Sequence, residues 1–111
     1  MIQDWNAYRS ALVGRVGDLA KLSPDAIRGW QTLDGAAATT GKLEPKTHEL
    51  IALAVAVTTR CDGCITVHAK AALEAGATRE EIAEALSVAI AMNAGAAVVY
   101  SARVLDAVDG L

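Results

Sequence analysis

The sequence predicts an all-α protein, and its composition and its patterning carry that prediction. The 111 residues are 53% hydrophobic but only 4% aromatic, and phenylalanine is absent. The apolar mass therefore comes from alanine, leucine, valine and isoleucine, a composition that favours helices over sheets. No strand alternation, hairpin turn or βαβ spacing interrupts the helical pattern. We expect one domain over residues 1–111, built as a compact bundle of about six helices around a central helix pair.

The first two helices are predicted from apolar spacing and from capping residues. Apolar or aromatic residues recur at steps of three and four along the first helix, at Trp5, Tyr8, Leu12, Val16 and Leu19. Asp4 is the candidate N-cap of this helix. Ser23 and Pro24 open a shorter second helix, because proline is favoured in a first helical turn. We expect the second helix to end around Gly35 and the Thr39-Thr40-Gly41 run.

The third and fourth helices are predicted to form the central pair. Pro45 can open the third helix, and its segment 50–57 is apolar on every side, so we expect it to be buried all round. The polar residues 58–60 separate it from a fourth helix that runs to about Ala75. Gly76 is the natural residue for the end of that helix.

The last helical region begins at a capping box. Thr78 and Glu81 match the pattern in which a hydroxyl and a carboxylate each satisfy a free backbone donor. The run Asn93-Ala94-Gly95 predicts a bend or a break before a final helix that reaches Val108, although one continuous bent helix also fits.

Charge and hydropathy exclude several classes of function. The net charge is −3, and the ten Lys and Arg residues are scattered, so no basic stripe exists for nucleic acid. The uncharged stretches 50–59 and 87–101 are too short to span a bilayer, and no secretory signal is visible. We therefore expect a cytoplasmic protein without membrane contact. Its surplus apolar surface predicts a homo-oligomer.

The most informative feature is the motif Cys61-Asp62-Gly63-Cys64 at the expected start of the fourth helix. Two cysteines so spaced in a reducing compartment indicate a redox or metal-binding pair. Residues three apart share a helix face, so a disulfide can form if the first turn accommodates it. His68 lies one turn beyond Cys64 and leans back toward its sulfur. The partial positive charge of the helix start and the charge of Arg60 favour a thiolate at the cysteine pair, whereas the negative charge of Asp62 disfavours it.

Glu49 joins this group by a symmetry argument. If the third and fourth helices are antiparallel, the midpoint between positions 49 and 68 falls in the turn, so Glu49 and His68 lie at similar heights. A carboxylate there can hold the imidazole tautomer and relay protons. With Cys64 and Cys61 the two residues offer one proton path. Peroxide cleavage needs such a path, because a thiolate attacks one oxygen while the departing oxygen is protonated.

Together these residues resemble the active-site signature of the alkylhydroperoxidase D-like branch of the carboxymuconolactone decarboxylase family. The signature consists of Glu49, eleven intervening residues, the two cysteines with two residues between them, three more residues and His68. The segments 45–54 and 75–82 also resemble the family, and the likeness spans about residues 43–108.

The resemblance implies an all-helical thiol peroxidase that assembles as a trimer or hexamer. It implies that Cys64 becomes the sulfenic acid, that Cys61 donates a proton and resolves it, and that Glu49 and His68 complete the relay. The substrates would be small or organic hydroperoxides, in antioxidant defence. No bound cofactor is required, and the electrons return from a thiol or dithiol donor whose identity the sequence leaves open.

Two other functions fit the same residues. Zinc could be held by Cys61, Cys64 and His68, with His48 as a fourth ligand. Alternatively the chain is a carboxymuconolactone decarboxylase-like enzyme without redox chemistry, in which Glu49 and His68 do the work and the cysteines are incidental. The helical pattern is common to both branches of the family, so fold alone does not choose between them.

Overall fold

The structure, a computed structural model describing residues 1–111, contains five α-helices and no strands. The helices are α1 Trp5–Leu22, α2 Pro24–Thr40, α3 Pro45–Thr59, α4 Asp62–Glu74 and α5 Arg79–Gly110. The predicted all-α class is confirmed. The number of helices is five because the two helices expected after the capping box are one continuous element.

Asp4 and Thr78 cap α1 and α5 as predicted, whereas Ser23 precedes α2 without a side-chain capping bond. The Asp4 side chain accepts a hydrogen bond from the backbone N–H of Ala7 at 3.0 Å, which caps α1. The Thr78 hydroxyl accepts one from the N–H of Glu81 at 3.0 Å, which caps α5. Just after α4 the chain turns through Gly76, whose φ of +88° places it in the left-handed region that glycine tolerates best.

Two helices extend further than predicted. α2 continues past Gly35 to Thr40 and ends at Gly41, which has a φ of +64°. Three alanines in the last turns favour this extension. α5 continues through Asn93, whose side-chain amide donates to the Ala89 carbonyl at 2.8 Å. A single glycine at position 95 costs about 1 kcal/mol relative to alanine, which is too little to break a helix of 32 residues.

α3 is the central helix, since α4 and α5 both pack against it, while α1 packs against α2 and α4. A small core lies at these contacts and consists of Leu53, Ala72 and Ala77, with Leu50, Ala69 and Ile82 packed around it. The expectation that 50–57 is buried all round is wrong within one chain. Ile51 is 50% exposed and Val55 is 54% exposed, so the helices that neighbour α3 in the same chain cover these two side chains only in part.

The chain is more open than the compact bundle expected. Its accessible surface is 8487 Å², against about 5,800 Å² for a compact monomer of this mass. Its radius of gyration is 17.8 Å, against about 13 Å for a compact domain of this length. Only six residues are buried. Much of the apolar surface of the helices is therefore uncovered within one chain.

α5 is the one helix long and apolar enough to cross a membrane by length and composition. The uncharged stretch 87–101 is too short by itself, but α5 continues on both sides of it. Its N-terminal half packs against α3, and Ala89 is buried there. Only 6% of the apolar window of α5 is buried within one chain.

Candidate functional site

The two cysteines lie at the junction of α3 and α4 and form a disulfide. Cys61 is the N-cap residue of α4, and Cys64 lies in the first turn. Their Cα atoms are 5.3 Å apart, within the range that disulfides require. The backbone N–H of Cys64 donates to the Cys61 sulfur at 3.1 Å, so a free donor of the helix start points at that sulfur.

The turn before Cys61 has an unusual backbone conformation. Arg60 ends α3 with φ 54° and ψ 48°, the left-handed region, and it is the only residue other than glycine with a positive φ. This conformation costs a residue with a Cβ atom on the order of 1 kcal/mol. The N–H of Cys61 donates to the Ala56 carbonyl at 3.0 Å and closes the turn. The sharp reversal lets α4 pack against α3 with the cysteine pair at its start.

Glu49 and His68 are in direct contact, as the symmetry of the two helices predicts. The Nδ1 atom of His68 lies 2.7 Å from Oε2 of Glu49, so an Nδ1–H donates to the carboxylate. Both side chains are partly buried, with 27% and 23% exposed. A carboxylate on Nδ1 holds the ring in one orientation and leaves Nε2 as the atom that takes up or releases a proton.

Cys64 and His68 lie one turn apart on α4. Residues separated by four share a helix face, so Cys64 and His68 lie on the face of α4 that carries the Glu49 contact. Both cysteines are partly buried. The helix register therefore places the Glu49–His68 pair one turn from Cys64, and a proton path from Glu49 through His68 to the two cysteines stays a prediction.

Another face of α4 contacts α1, and the sequence reasoning missed this contact. Thr66 is the only buried polar residue, with 3% exposed, and its hydroxyl donates to the carbonyl of Trp5 at 2.9 Å. Gly63, between the cysteines, lies directly under Leu12. The sequence feature that could have predicted this contact is the spacing of Gly63 and Thr66. A small residue and a hydroxyl residue three positions apart are typical of a helix face that another helix approaches closely.

The zinc alternative has no support from the geometry. His48 lines a separate cavity of about 370 Å³ between α2 and α3, together with Lys42 and Ile51. No three His, Cys, Asp or Glu side chains in the chain are close enough to one another to hold a metal ion.

Comparison with known proteins assigns the fold and the sequence to a family. Residues 24–107 match the carboxymuconolactone decarboxylase family, and the chain belongs to this family. An uncharacterized protein of Haemophilus influenzae is 50% identical over 107 residues, which cover 96% of this chain and 95% of that protein. Another from Cupriavidus necator is 38% identical over 111 residues, covering 100% of this chain and 98% of that one.

A solved structure agrees with this assignment. The crystal structure of the apo form of a carboxymuconolactone decarboxylase family protein from Legionella pneumophila superimposes with a TM-score of 0.75. The two chains are 35% identical, and the superposition covers 88% of each. The family match begins at residue 24, after the end of α1.

Proposed function

We propose that the protein is a thiol-dependent peroxidase of the alkylhydroperoxidase D-like branch of its family, reducing small or organic hydroperoxides. The observation that carries this proposal is the position of the Cys61–Cys64 disulfide at the start of α4, one turn from an imidazole bound to a carboxylate. A redox-active pair and a proton relay are the two components that peroxide reduction needs.

The reaction starts from the two thiols. The thiolate of Cys64 attacks one peroxide oxygen, the O–O bond breaks, and the departing oxygen takes a proton and leaves as an alcohol or as water. The Cys61 thiol then attacks the sulfur of the Cys64 sulfenic acid, expels water and forms the disulfide. Two electrons have moved from the cysteine pair to the peroxide. A thiol or dithiol donor, available in a reducing compartment such as the cytoplasm, returns them.

The surrounding groups supply the protons for these steps. Glu49 accepts the Nδ1–H of His68, and Nε2 is then free to take the proton of a cysteine thiol and to pass it toward the departing oxygen. The N–H of Cys64 that points at the Cys61 sulfur stabilises negative charge there. Cys61 is thus a good leaving group when a donor thiol attacks Cys64.

Peroxide turnover with a dithiol reductant tests the proposal. We expect Cys64→Ser to lose turnover, because the attacking sulfur is removed while the helix start is preserved. His68→Gln should lower turnover strongly, and His48→Gln is the matched control, since His48 lies in the separate cavity. Equal turnover in wild type and Cys64→Ser would contradict the proposal and leave the Glu49–His68 pair as the centre of a reaction without redox chemistry.

The protein is further proposed to work as a homo-oligomer, a trimer or a hexamer. The surface in excess of a compact monomer is about 2,700 Å² per chain, comparable with what obligate subunits bury. The C-terminal half of α5 is a prominent part of it. Its large apolar residues are all more than half exposed: Val98, Val99, Tyr100, Val104, Leu105 and Val108. Covering them with other copies would complete the core that one chain lacks.

A further inference from the structure

Helix α1 packs directly on the backbone between the two cysteines. A Cβ atom added to Gly63 would lie 2.7 Å from Cδ2 of Leu12, so a side chain at position 63 has no room unless Leu12 moves. The side chain of Leu12 therefore occupies the space that a residue at this position would otherwise fill. Any displacement of α1 changes what the cysteine turn packs against.

A buried hydrogen bond fixes the same two helices one turn further along. Thr66 donates to the backbone carbonyl of Trp5, the first residue of α1, at 2.9 Å. The Arg9 guanidinium donates to the Thr66 hydroxyl at 3.4 Å and to the Asn6 side chain at 2.7 Å. Since Thr66 is buried, an unpaired hydroxyl or carbonyl here is unfavourable, and α1 stays in register with α4.

The residues of α4 that contact α1 lie on a different face of the helix from the proposed redox residues. Gly63 and Thr66 are three residues apart and share the face that meets α1. Cys64 and His68 are four residues apart and share a face with the Glu49 contact. Helix α1 thus packs against the turn that carries both sulfurs, and it makes no hydrogen bond to any of the proposed catalytic side chains.

We propose that Leu12 and Thr66 are positioning residues, through which α1 sets the equilibrium between the disulfide and the two thiols. A disulfide forms only when the two Cβ atoms face each other at short range, so a turn held rigidly in that arrangement favours the oxidised pair. Docking of α1 and closure of the disulfide are then linked. The free energy by which docking of α1 stabilises the disulfide equals the free energy by which the disulfide stabilises docking of α1. This inference rests on the proposed redox function of the pair.

The test is the equilibrium with glutathione, in which the disulfide and two molecules of reduced glutathione give the two thiols and oxidised glutathione. The fractions are read by thiol trapping and mass spectrometry. Thr66→Val keeps the shape of the side chain but loses the hydroxyl, and we expect it to shift the equilibrium toward the thiols by about fivefold or more. Thr66→Ser keeps the hydroxyl and should stay close to wild type.

A second variant and a matched control complete the experiment. Leu12→Ala removes the contact with Gly63 and should shift the equilibrium in the same direction. Thr58→Val is the control, because the Thr58 hydroxyl bonds α3 and α5 but not α1. If Thr66→Val and Leu12→Ala lower the thermal stability of both redox forms equally and leave the glutathione equilibrium unchanged, α1 is only a structural support and the inference is overturned.

The two proposals fail separately in this design. The titration contains no peroxide, so it reports on α1 even if the wild type proves inactive as a peroxidase. Conversely, an active wild type whose glutathione equilibrium is insensitive to Thr66→Val overturns the role of α1 and leaves the peroxidase proposal in place.

Discussion

A single carboxylate holds His68 in one orientation, and this makes Glu49 a sensitive test of the proton relay. Glu49→Gln keeps an oxygen that accepts the Nδ1–H but removes the negative charge of the acceptor that orients the ring. We expect peroxide turnover at saturating substrate to fall by about 10²-fold, the scale of one general acid–base contribution. Glu44→Gln, at the start of the same helix and without a side-chain capping bond, should keep wild-type turnover. Equal rates for both variants would remove Glu49 from the relay.

The two cysteines are predicted to have different roles, which single substitutions separate. In Cys61→Ser no second thiol resolves the sulfenic acid, so we expect Cys64 to accumulate that state after one equivalent of peroxide. A sulfenic acid reagent followed by mass spectrometry detects it. Cys64→Ser should give no adduct. The reverse pattern would exchange the roles of the two sulfurs, and the N–H donated to Cys61 would then stabilise the attacking thiolate.

Among the helices, the first residues of α1 and α5 are set by neighbouring residues in the sequence, whereas the length of α5 also depends on a contact with a distant residue. Asp4 and Thr78 cap α1 and α5 as the sequence predicts, because a cap needs only backbone groups within the next turn. The break expected at Asn93 is absent. Its amide donates to Thr58 on α3 at 2.8 Å, a contact between residues 35 positions apart that no local pattern contains.

The cap of α5 gives a stability prediction. Thr78→Ala leaves the N–H of Glu81 without its acceptor, and we expect the free energy of unfolding to fall by about 1 kcal/mol. Urea unfolding at fixed protein concentration measures it. Ser87→Ala is the control within the same helix, since that hydroxyl only bonds back to the Ala83 carbonyl and its loss should change stability by less than about 0.5 kcal/mol. Similar losses for the two variants would show that the cap contributes nothing specific.

At the scale of the whole molecule, the accessible surface of one chain exceeds that of a compact monomer of the same mass, and the proposed trimer or hexamer would cover part of it. We expect light scattering during gel filtration at micromolar concentration to give three or six times the 11.5 kDa of one chain. Leu105→Glu places a charge among the exposed apolar residues of α5 and should produce smaller species. A monomer mass for the wild type would contradict the assembly and would leave the apolar half of α5 without an explanation.

The incomplete burial of α3 is also a property of the whole molecule. The sequence pattern at 50–57 predicts burial on every side, which one chain provides only in part, and it does not say which molecule would cover the rest. Within one chain Leu53 and Ala56 are buried, whereas Ile51 and Val55 are not. Hydropathy indicates only that burial of these side chains is favourable. Contact with another copy of the chain would bury them as well as a contact within the chain does.

The helical class, the caps at Asp4 and Thr78, and the placing of Cys61, Cys64 and His68 at the start of α4 follow from the sequence, because helix periodicity, capping and the spacing of these residues act over one or two turns of chain. Which faces of α4 meet α1 and α3 follows only from the packing of the helices, and this packing buries Thr66 against Trp5 and brings His68 to Glu49. The physical reason is that helix propensity and capping depend on neighbours in sequence, whereas burial depends on contacts between helices far apart along the chain.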